Sequence, residues 1–344
     1  METILGAELR QTCHPVNESS QIAACRRTAA DICAHSGFDE TAAGEVAIAV
    51  TEAATNILKH AGRGHILLRP LRSGAARGIE VLALDSGPGF SNLAASLQDG
   101  TTTAGSFGVG LGAMRRLAQV FDIYSQPGKG SAIVMQLWPR NAAPPTQSVH
   151  CGVVCLPMHG ETVAGDSWAL ALGATEATVL VADGLGHGMH AAQASELAAA
   201  VTMQEPRLPA ATLIQDAHGA LRATRGAAVA VARIDMLHET LSFAGIGNIA
   251  TYIFDGSDRR QLVSHNGIVG SNMRKVQEFS AAWNADTMLV LHSDGLASRW
   301  DLGDYPGLLH CHPALVAGVL FRDGSRHRDD VTVLVLRDRE GWSP

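Results

Sequence analysis

The sequence has no ordered cysteine pattern, no excess of positive charge and no long apolar run, and each absence removes a class of function. Six cysteines (Cys13, Cys25, Cys33, Cys151, Cys155 and Cys311) are scattered along the chain. Cys151 and Cys155 lie four residues apart, but no second Cys or His pair follows at zinc-ligand spacing. His310-Cys311-His312 therefore reads as packed or solvated side chains. A net charge of −7 gives neither nucleic acid nor an anionic membrane an electrostatic hold. No run approaches the roughly 18 apolar residues needed to cross a bilayer. The stretch Met1 to Gln11 is polar and lacks the apolar segment of a signal peptide. The expectation is a soluble, reduced, cytoplasmic protein with no nucleic-acid and no membrane partner. No Gly-x-x-x-x-Gly-Lys-Ser/Thr occurs either, which excludes a P-loop.

What is present suffices for two ordinary cores: 344 residues, 46% hydrophobic and 17% charged. The clearest break is Pro139 to Ser148, with three prolines and little to bury, following the apolar run Ile133 to Trp138. Proline removes backbone donors and fixes φ, so residues 139–148 read as a short, semi-stiff linker between domains at 1–138 and 149–344. Hydrophobic periodicity predicts helices near 18–36, 39–60 and 110–120, and strands near 64–72, 78–85, 121–126 and 130–138. Beyond the linker it predicts strands near 150–156, 163–172, 177–183, 227–235, 240–246, 249–254, 286–292 and 331–337. Helices near 187–204, 208–222 and 312–320 interrupt them. Strands and helices in blocks, rather than strict alternation, give an α+β class in both halves.

In the first half three features stand in order. Glu52 and Asn56 are four apart on a predicted helix and share a face; a carboxylate beside an amide oxygen suits a hard cation such as Mg2+. Alone, the pair is equally a polar helix face. Asp85-Ser86-Gly87-Pro88-Gly89 follows the apolar strand Ile79 to Leu84. A carboxylate there can accept a hydrogen bond from an exocyclic amine while Gly87 and Gly89 allow close backbone approach; a simple turn would look the same. Gly108-Val109-Gly110-Leu111-Gly112 opens a helix, where bare N–H groups can face phosphates. In this order and spacing the three features resemble the GHKL ATP-binding fold of gyrase, Hsp90, histidine kinases and MutL, over roughly residues 10–138. The resemblance implies an α/β sandwich binding ATP and Mg2+, with Glu52 as general base and Asn56 holding the ion. It implies also that Asp85 reads adenine, that Gly108, Gly110 and Gly112 cradle phosphates, and that Ser131 of Gly128-Lys129-Gly130-Ser131 completes the adenine pocket. The stretch Asp85 to Trp138, with a short lid at Ser91 to Phe107, is similar to RsbT-type switch kinases and anti-sigma factors. No helical hairpin with a phosphoacceptor His precedes it, so a histidine kinase is disfavoured; His60 reads as a packing residue.

In the second half, Asp166 sits inside a β run, Asp183 and Asp294 end apolar strands, and Asp329-Asp330 precede the last strand. Each alone is a common turn former; at strand ends together they can converge at one sheet edge. Residues 149–338 resemble the metal-dependent (type 2C, PPM) protein phosphatases, particularly the SpoIIE/RsbX-like branch, which implies an α-β-β-α sandwich. The resemblance assigns Asp183 as the catalytic ligand bridging two Mn2+ or Mg2+ ions, with the Gly184 carbonyl, Asp166, Asp294 and Asp329 completing the coordination. Asp330 would stand beside a ligand, Gly247-Asn248 would form a structural turn, and His187 would head the following helix. Ala164 and Ser167-Trp168-Ala169 depart from the branch's pattern around Asp166. No Cys-x5-Arg loop occurs, in keeping with metal-activated water rather than a cysteine nucleophile. The two resemblances together imply a bifunctional partner-switching regulator acting on a STAS-domain anti-sigma antagonist. The alternative makes the first domain a non-catalytic binding module for a sigma factor or a stressosome-type complex.

Overall fold

The computed structural model describes residues 1–90, 93, 110–142, 148–256 and 258–343. In chain order the elements are β1 (Glu2–Leu5), β2 (Thr12–Val16), α1 (Ser19–His35), α2 (Glu40–Asn56), β3 (Gly64–Ser73), β4 (Ala76–Asp85), α3 (Gly110–Leu117), β5 (Val120–Gln126) and β6 (Gly130–Leu137). There follow β7 (Val149–Leu156), β8 (Asp166–Leu172), β9 (Glu176–Gly184), α4 (Met189–Thr202), α5 (Ala210–Ala220), β10 (Ala227–Asp235), β11 (Thr240–Ile246) and β12 (Ala250–Asp255). The last are β13 (Asp258–Leu262), β14 (Phe279–Ala282), β15 (Thr287–His292), α6 (Pro313–Gly324) and β16 (Val331–Asp338). No helix among the described residues is long and apolar enough to cross a membrane.

These elements gather into two compact units that are not contiguous in sequence. One comprises Gln11–Thr146 with Asp304–Arg322; the other comprises Met1–Arg10, Gln147–Gly303 and Asp323–Ser343. By packing, the first ten residues group with the later unit and residues 304–322 with the earlier one. Residues 143–147 of the expected linker lie outside the described residues.

The unit containing residues 11–146 is one antiparallel sheet, ordered β2-β3-β4-β6-β5. Alternating residues of its strands, such as Ile66, Leu68, Ile79, Val81, Ile133 and Met135, face α1–α3, where Ala29, Ala49, Val50, Ala53 and Met114 complete a core. Small residues along α2 let it lie close to the sheet. Asp39 caps α2 by accepting from Ala42 N at 2.7 Å. The helix was expected to reach residue 60, but after Asn56 it widens into a π-helical turn, Ile57–Ala61, that Gly62 ends at φ +75°. The opposite sheet face carries Leu82 and Leu84, and α6 crosses it so closely that a β-carbon at Gly318 would lie 2.9 and 3.0 Å from their methyl groups. His312, just before α6, is 2% exposed and its N–H donates to Asp122 at 2.6 Å, which fits the packed reading of that residue.

Arg69 and Glu80 are buried cross-strand partners in this sheet, joined at 2.8 Å, with Gln136 donating to the second carboxylate oxygen at 3.0 Å. Removing one partner of such a pair leaves a buried charge without its counter-ion, at about 3–5 kcal/mol. Glu80→Ala is therefore expected to lower the unfolding temperature markedly, and Glu80→Gln, which keeps an acceptor, to lower it less. Scanning calorimetry of the three proteins checks the order.

The other unit stacks two antiparallel sheets, β1-β8-β9-β10-β11-β14 and β13-β12-β15-β16-β7. Val179, Val181, Ala230 and Phe243 of the first meet Leu289, Leu291, Leu334 and Leu336 of the second in a common core. The first sheet's other face (Leu180, Ala182, Val229 and Val231) packs with Ala194, Ala198, Leu213 and Ile214 of α4 and α5. This is a mixed α/β arrangement of two stacked sheets with helices against one of them. β1 was not foreseen: four residues at the chain start carry little periodicity, and pairing with β8 makes it a strand. Short β2, β13 and β14 escaped for the same reason.

Candidate functional site

Four aspartates of the two-sheet unit come together because strand register puts them there. Asp166 opens β8 and Asp183 stands at the end of β9, and the two are direct cross-strand partners. Asp294 follows β15 by two residues and Asp329 precedes β16 by two; adjacent antiparallel pairing of those strands brings both to the same end. Asp166, placed inside a β run by its sequence, is the strand's first residue.

Backbone closeness makes the cluster possible. A β-carbon on Gly184 would lie 2.0 Å from the Ala191 carbonyl oxygen, one on Gly295 2.0 Å from that of Asp330, and one on Gly165 2.6 Å from the Asp330 carboxylate. No side chain fits at these three positions.

Hydrogen bonds then orient the carboxylates. Ser293 Oγ donates to Asp166 at 2.6 Å and accepts from Thr332 N at 2.9 Å. Asn248 Nδ2 donates to Asp294 at 2.9 Å, so the residue read as part of a structural turn touches the cluster directly. Asp330 points elsewhere: its two oxygens accept from Met158 N and Gly165 N, both at 2.8 Å, tying down the loop before β8. Behind Asp294, His292 is buried with Nδ1 2.8 Å from the Ser293 carbonyl oxygen, and Trp300 Nε1 donates to its Nε2 at 3.2 Å. That pattern requires the neutral ring, and burial lowers its pKa to about 4. The sequence marked Asn248 only as part of a turn and gave no sign of the bonds made by Ser293 or of the His292–Trp300 buttress, since their partners are remote in the chain.

The electrostatics show an uncompensated anion. Burial, then the neighbouring Asp294, Asp329 and Asp330, raise the pKa of Asp183 to about 7. Asp166 is held well above the usual carboxylate range by burial and by Asp183, partly offset by the Ser293 hydroxyl. Burial raises Asp329 as well, against the hydrogen bond it receives from Asp330 N. Among the described residues none of the four makes an ion pair. Oxygen-only donors carrying excess negative charge fit Mg2+ or Mn2+. Among the described residues no three His, Cys, Asp or Glu side chains are drawn into a ready-made cage. A hard ion that keeps several waters does not need one.

In the other unit, Glu52 and Asn56 sit one turn apart on α2 and both reach the start of α3. The point a Gly110 β-carbon would occupy is 3.1 Å from Glu52 Oε2 and 3.6 Å from Asn56 Oδ1. Gly112 is buried in α3, while Gly108 and the expected lid, apart from Leu93, lie outside the described residues. Asp85 ends β4 opposite Ser131 of β6 and accepts from Gly87 N at 2.8 Å. Burial raises its pKa, against the Gly87 and Ser131 N–H groups and the nearby Arg322 and His60. A β-carbon on Gly89 would strike the Gln126 carbonyl oxygen at 2.5 Å. The buried Ser131 has its Oγ 3.2 Å from that of Ser125. Arg322 of α6 donates to the Asp85 carbonyl oxygen at 2.9 Å, a contribution invisible in the sequence order.

Known proteins resemble the earlier and later parts of the chain separately. Residues 16–137 match the model of the histidine kinase-like ATPase domain, and residues 174–339 that of stage II sporulation protein E (SpoIIE). The chain is 29% identical over 130 residues to the serine/threonine-protein kinase RsbT of Bacillus subtilis (strain 168), covering 38% of this chain and 98% of RsbT. It is 22% identical over 142 residues to the phosphoserine phosphatase RsbX of the same strain, covering 41% of this chain and 71% of RsbX. A solved structure from work on the bacterial stressosome is 27% identical, with a TM-score of 0.52 over 55% of this chain and 99% of that one.

Proposed function

We propose that this chain, a histidine kinase-like ATPase domain followed by a SpoIIE-type PP2C domain, is a bifunctional partner-switching regulator. It joins a metal-dependent phosphoserine/phosphothreonine protein phosphatase to an ATP-dependent serine kinase, and its substrate is a small STAS-domain antagonist protein. The observation that carries the phosphatase reading is the convergence of Asp166, Asp183, Asp294 and Asp329 with the Asp183 pKa raised to about 7. Such a site is built to be neutralised by cations.

Bound Mg2+ or Mn2+ would supply a water of lowered pKa and charge stabilisation for in-line displacement at phosphorus. Asp183, Asp166, Asp294, Asp329 and the Gly184 carbonyl would hold the ions. Ser293 and Asn248 fix carboxylate orientation, and Asp330 holds the loop leading into Asp166. Asn248→Ala leaves Asp294 unoriented, which is expected to weaken Mn2+ affinity about 10–100-fold. Turnover should return at high Mn2+, and activation curves on p-nitrophenyl phosphate measure both.

In the ATPase domain, Glu52 is the proposed base for a substrate hydroxyl and Asn56 the proposed Mg2+ ligand. Asp85 and Ser131 suit an adenine, and Gly87, Gly89, Gly110 and Gly112 allow ATP close to the backbone; Gly108 belongs to the same proposal. The resemblance to RsbT and the proximity of Glu52 and Asn56 to Gly110 support this. The experiment incubates the whole chain with a STAS-domain protein and Mg-ATP, then adds Mn2+, following the intact mass of the STAS protein. A gain of one phosphate followed by its loss is expected. No gain, with tight binding of a sigma factor or stressosome-type partner instead, would leave the ATPase domain a binding module.

A further inference from the structure

Between Asp183 and helix α4 the chain makes a short turn, Leu185-Gly186-His187-Gly188, that is pinned at every residue. Leu185 N donates to the Gly226 carbonyl oxygen at 3.0 Å. Gly186 and Gly188 adopt φ of +89° and +72°, a left-handed backbone that side chains disfavour. His187 Nδ1 lies 2.8 Å from Glu161 Oε1, and the Gly188 carbonyl oxygen accepts the first α4 bond, from Ala192 N.

This fixed turn presents apolar side chains to solvent. Leu185 is 40% and Met189 71% exposed, and they are two of six large apolar side chains exposed among the described residues. These two fall within five residues, immediately after a proposed metal ligand.

A cation lies beside them. Arg225 Nη1 is 3.1 Å from where a Gly186 β-carbon would sit, so the guanidinium lies against the bare backbone of the turn. Arg225 is exposed and makes no ion pair among the described residues. The Gly186 carbonyl oxygen is in turn 3.4 Å from the β-carbon point of Gly165, the residue preceding Asp166. A guanidinium without a carboxylate partner, against the turn that leads away from Asp183, is matched to a phosphate group.

We infer that Leu185, Met189 and Arg225 form the substrate-recognition lip of the phosphatase site. Arg225 engages the phosphoryl group, and the two apolar side chains cover a large apolar residue adjoining the phosphoserine. The inference rests on the phosphatase reading above and adds the substrate class: phosphoserine flanked by an apolar residue. The occupant follows from charge and apolarity together, because a dianion answers the guanidinium without an ion pair and an apolar neighbour answers the exposed Leu185 and Met189.

The test uses the whole chain with Mn2+ and two phosphoserine peptides that differ only in the following residue, leucine or serine. Wild type is expected to prefer the leucine peptide by about tenfold in kcat/KM, the scale of a modest apolar contact. Leu185→Ser with Met189→Ser should collapse that ratio to about one. Arg225→Ala should raise KM for both peptides about tenfold, with partial recovery in Arg225→Lys. A wild type without preference, or a double variant that keeps it, overturns the apolar part of the lip. An unchanged KM in Arg225→Ala overturns its phosphate role. If wild type hydrolyses neither peptide nor p-nitrophenyl phosphate at any Mn2+ concentration, the phosphatase reading falls and the lip with it.

Discussion

Asp183→Asn is expected to cut Mn2+-dependent hydrolysis of p-nitrophenyl phosphate by on the order of 10³-fold, the scale of losing one preorganised charge-stabilising group. It should also make the metal-free protein more stable at neutral pH. An unfolded aspartate titrates near 3.8, whereas Asp183 in the fold is raised to about 7. Between those values the folded state holds a proton that the unfolded state has lost, so stability falls as pH rises from about 4 to 7. Above the folded value the whole destabilisation is present. Asp166, raised by burial and by Asp183, acts in the same direction. Asparagine removes the Asp183 charge and relieves its repulsion of Asp166. Melting temperatures in a chelator at pH 5 and pH 8 should therefore differ less in Asp183→Asn than in wild type, and added Mn2+ should stabilise only the wild type strongly at pH 8. An asparagine variant with wild-type turnover would remove Asp183 from the site, and an unchanged pH dependence of melting would refute the electrostatic account.

Glu52→Gln is expected to slow phosphorylation of a STAS-domain substrate about 10²–10⁴-fold, the contribution of a positioned general base. Glutamine preserves the shape beside Gly110, which the carboxylate approaches closely. Nucleotide binding measured by calorimetry separates loss of chemistry from loss of the pocket. The Mn2+-dependent phosphatase of the same molecule reports that the chain has folded. Phosphorylation at the wild-type rate in Glu52→Gln would end the kinase proposal.

Both experiments concern residues whose pattern is readable in one dimension. The apolar runs 177–183 and 286–292 become β9 and β15 because their successive side chains have a buried face to occupy on each side. Glu52 and Asn56 share a face because a helix places residues four apart together. Asp183 and Asp294 are recognisable because a carboxylate after an apolar strand has to leave the core. The fold class of both halves followed from such local rules.

Tertiary structure decided what local rules do not encode. Register alone set Asp166 opposite Asp183, and pairing across the second sheet brought Asp294 and Asp329 to one end. Asn248, Ser293 and Trp300 gained their roles from partners that packing supplied. The exchange of segments between the two units was likewise unreadable in the sequence. The helical pattern near 312–320 forms a helix wherever it packs, and only the sheet face bearing Leu82 and Leu84 determined where it lies. The ordered cysteine pattern, the excess of positive charge and the long apolar spans that the chain lacks were fixed by the sequence, since no packing can supply them. Which carboxylates meet, and what holds them, depended on contacts between residues far apart in the chain, whose free energy exists only once both cores have formed.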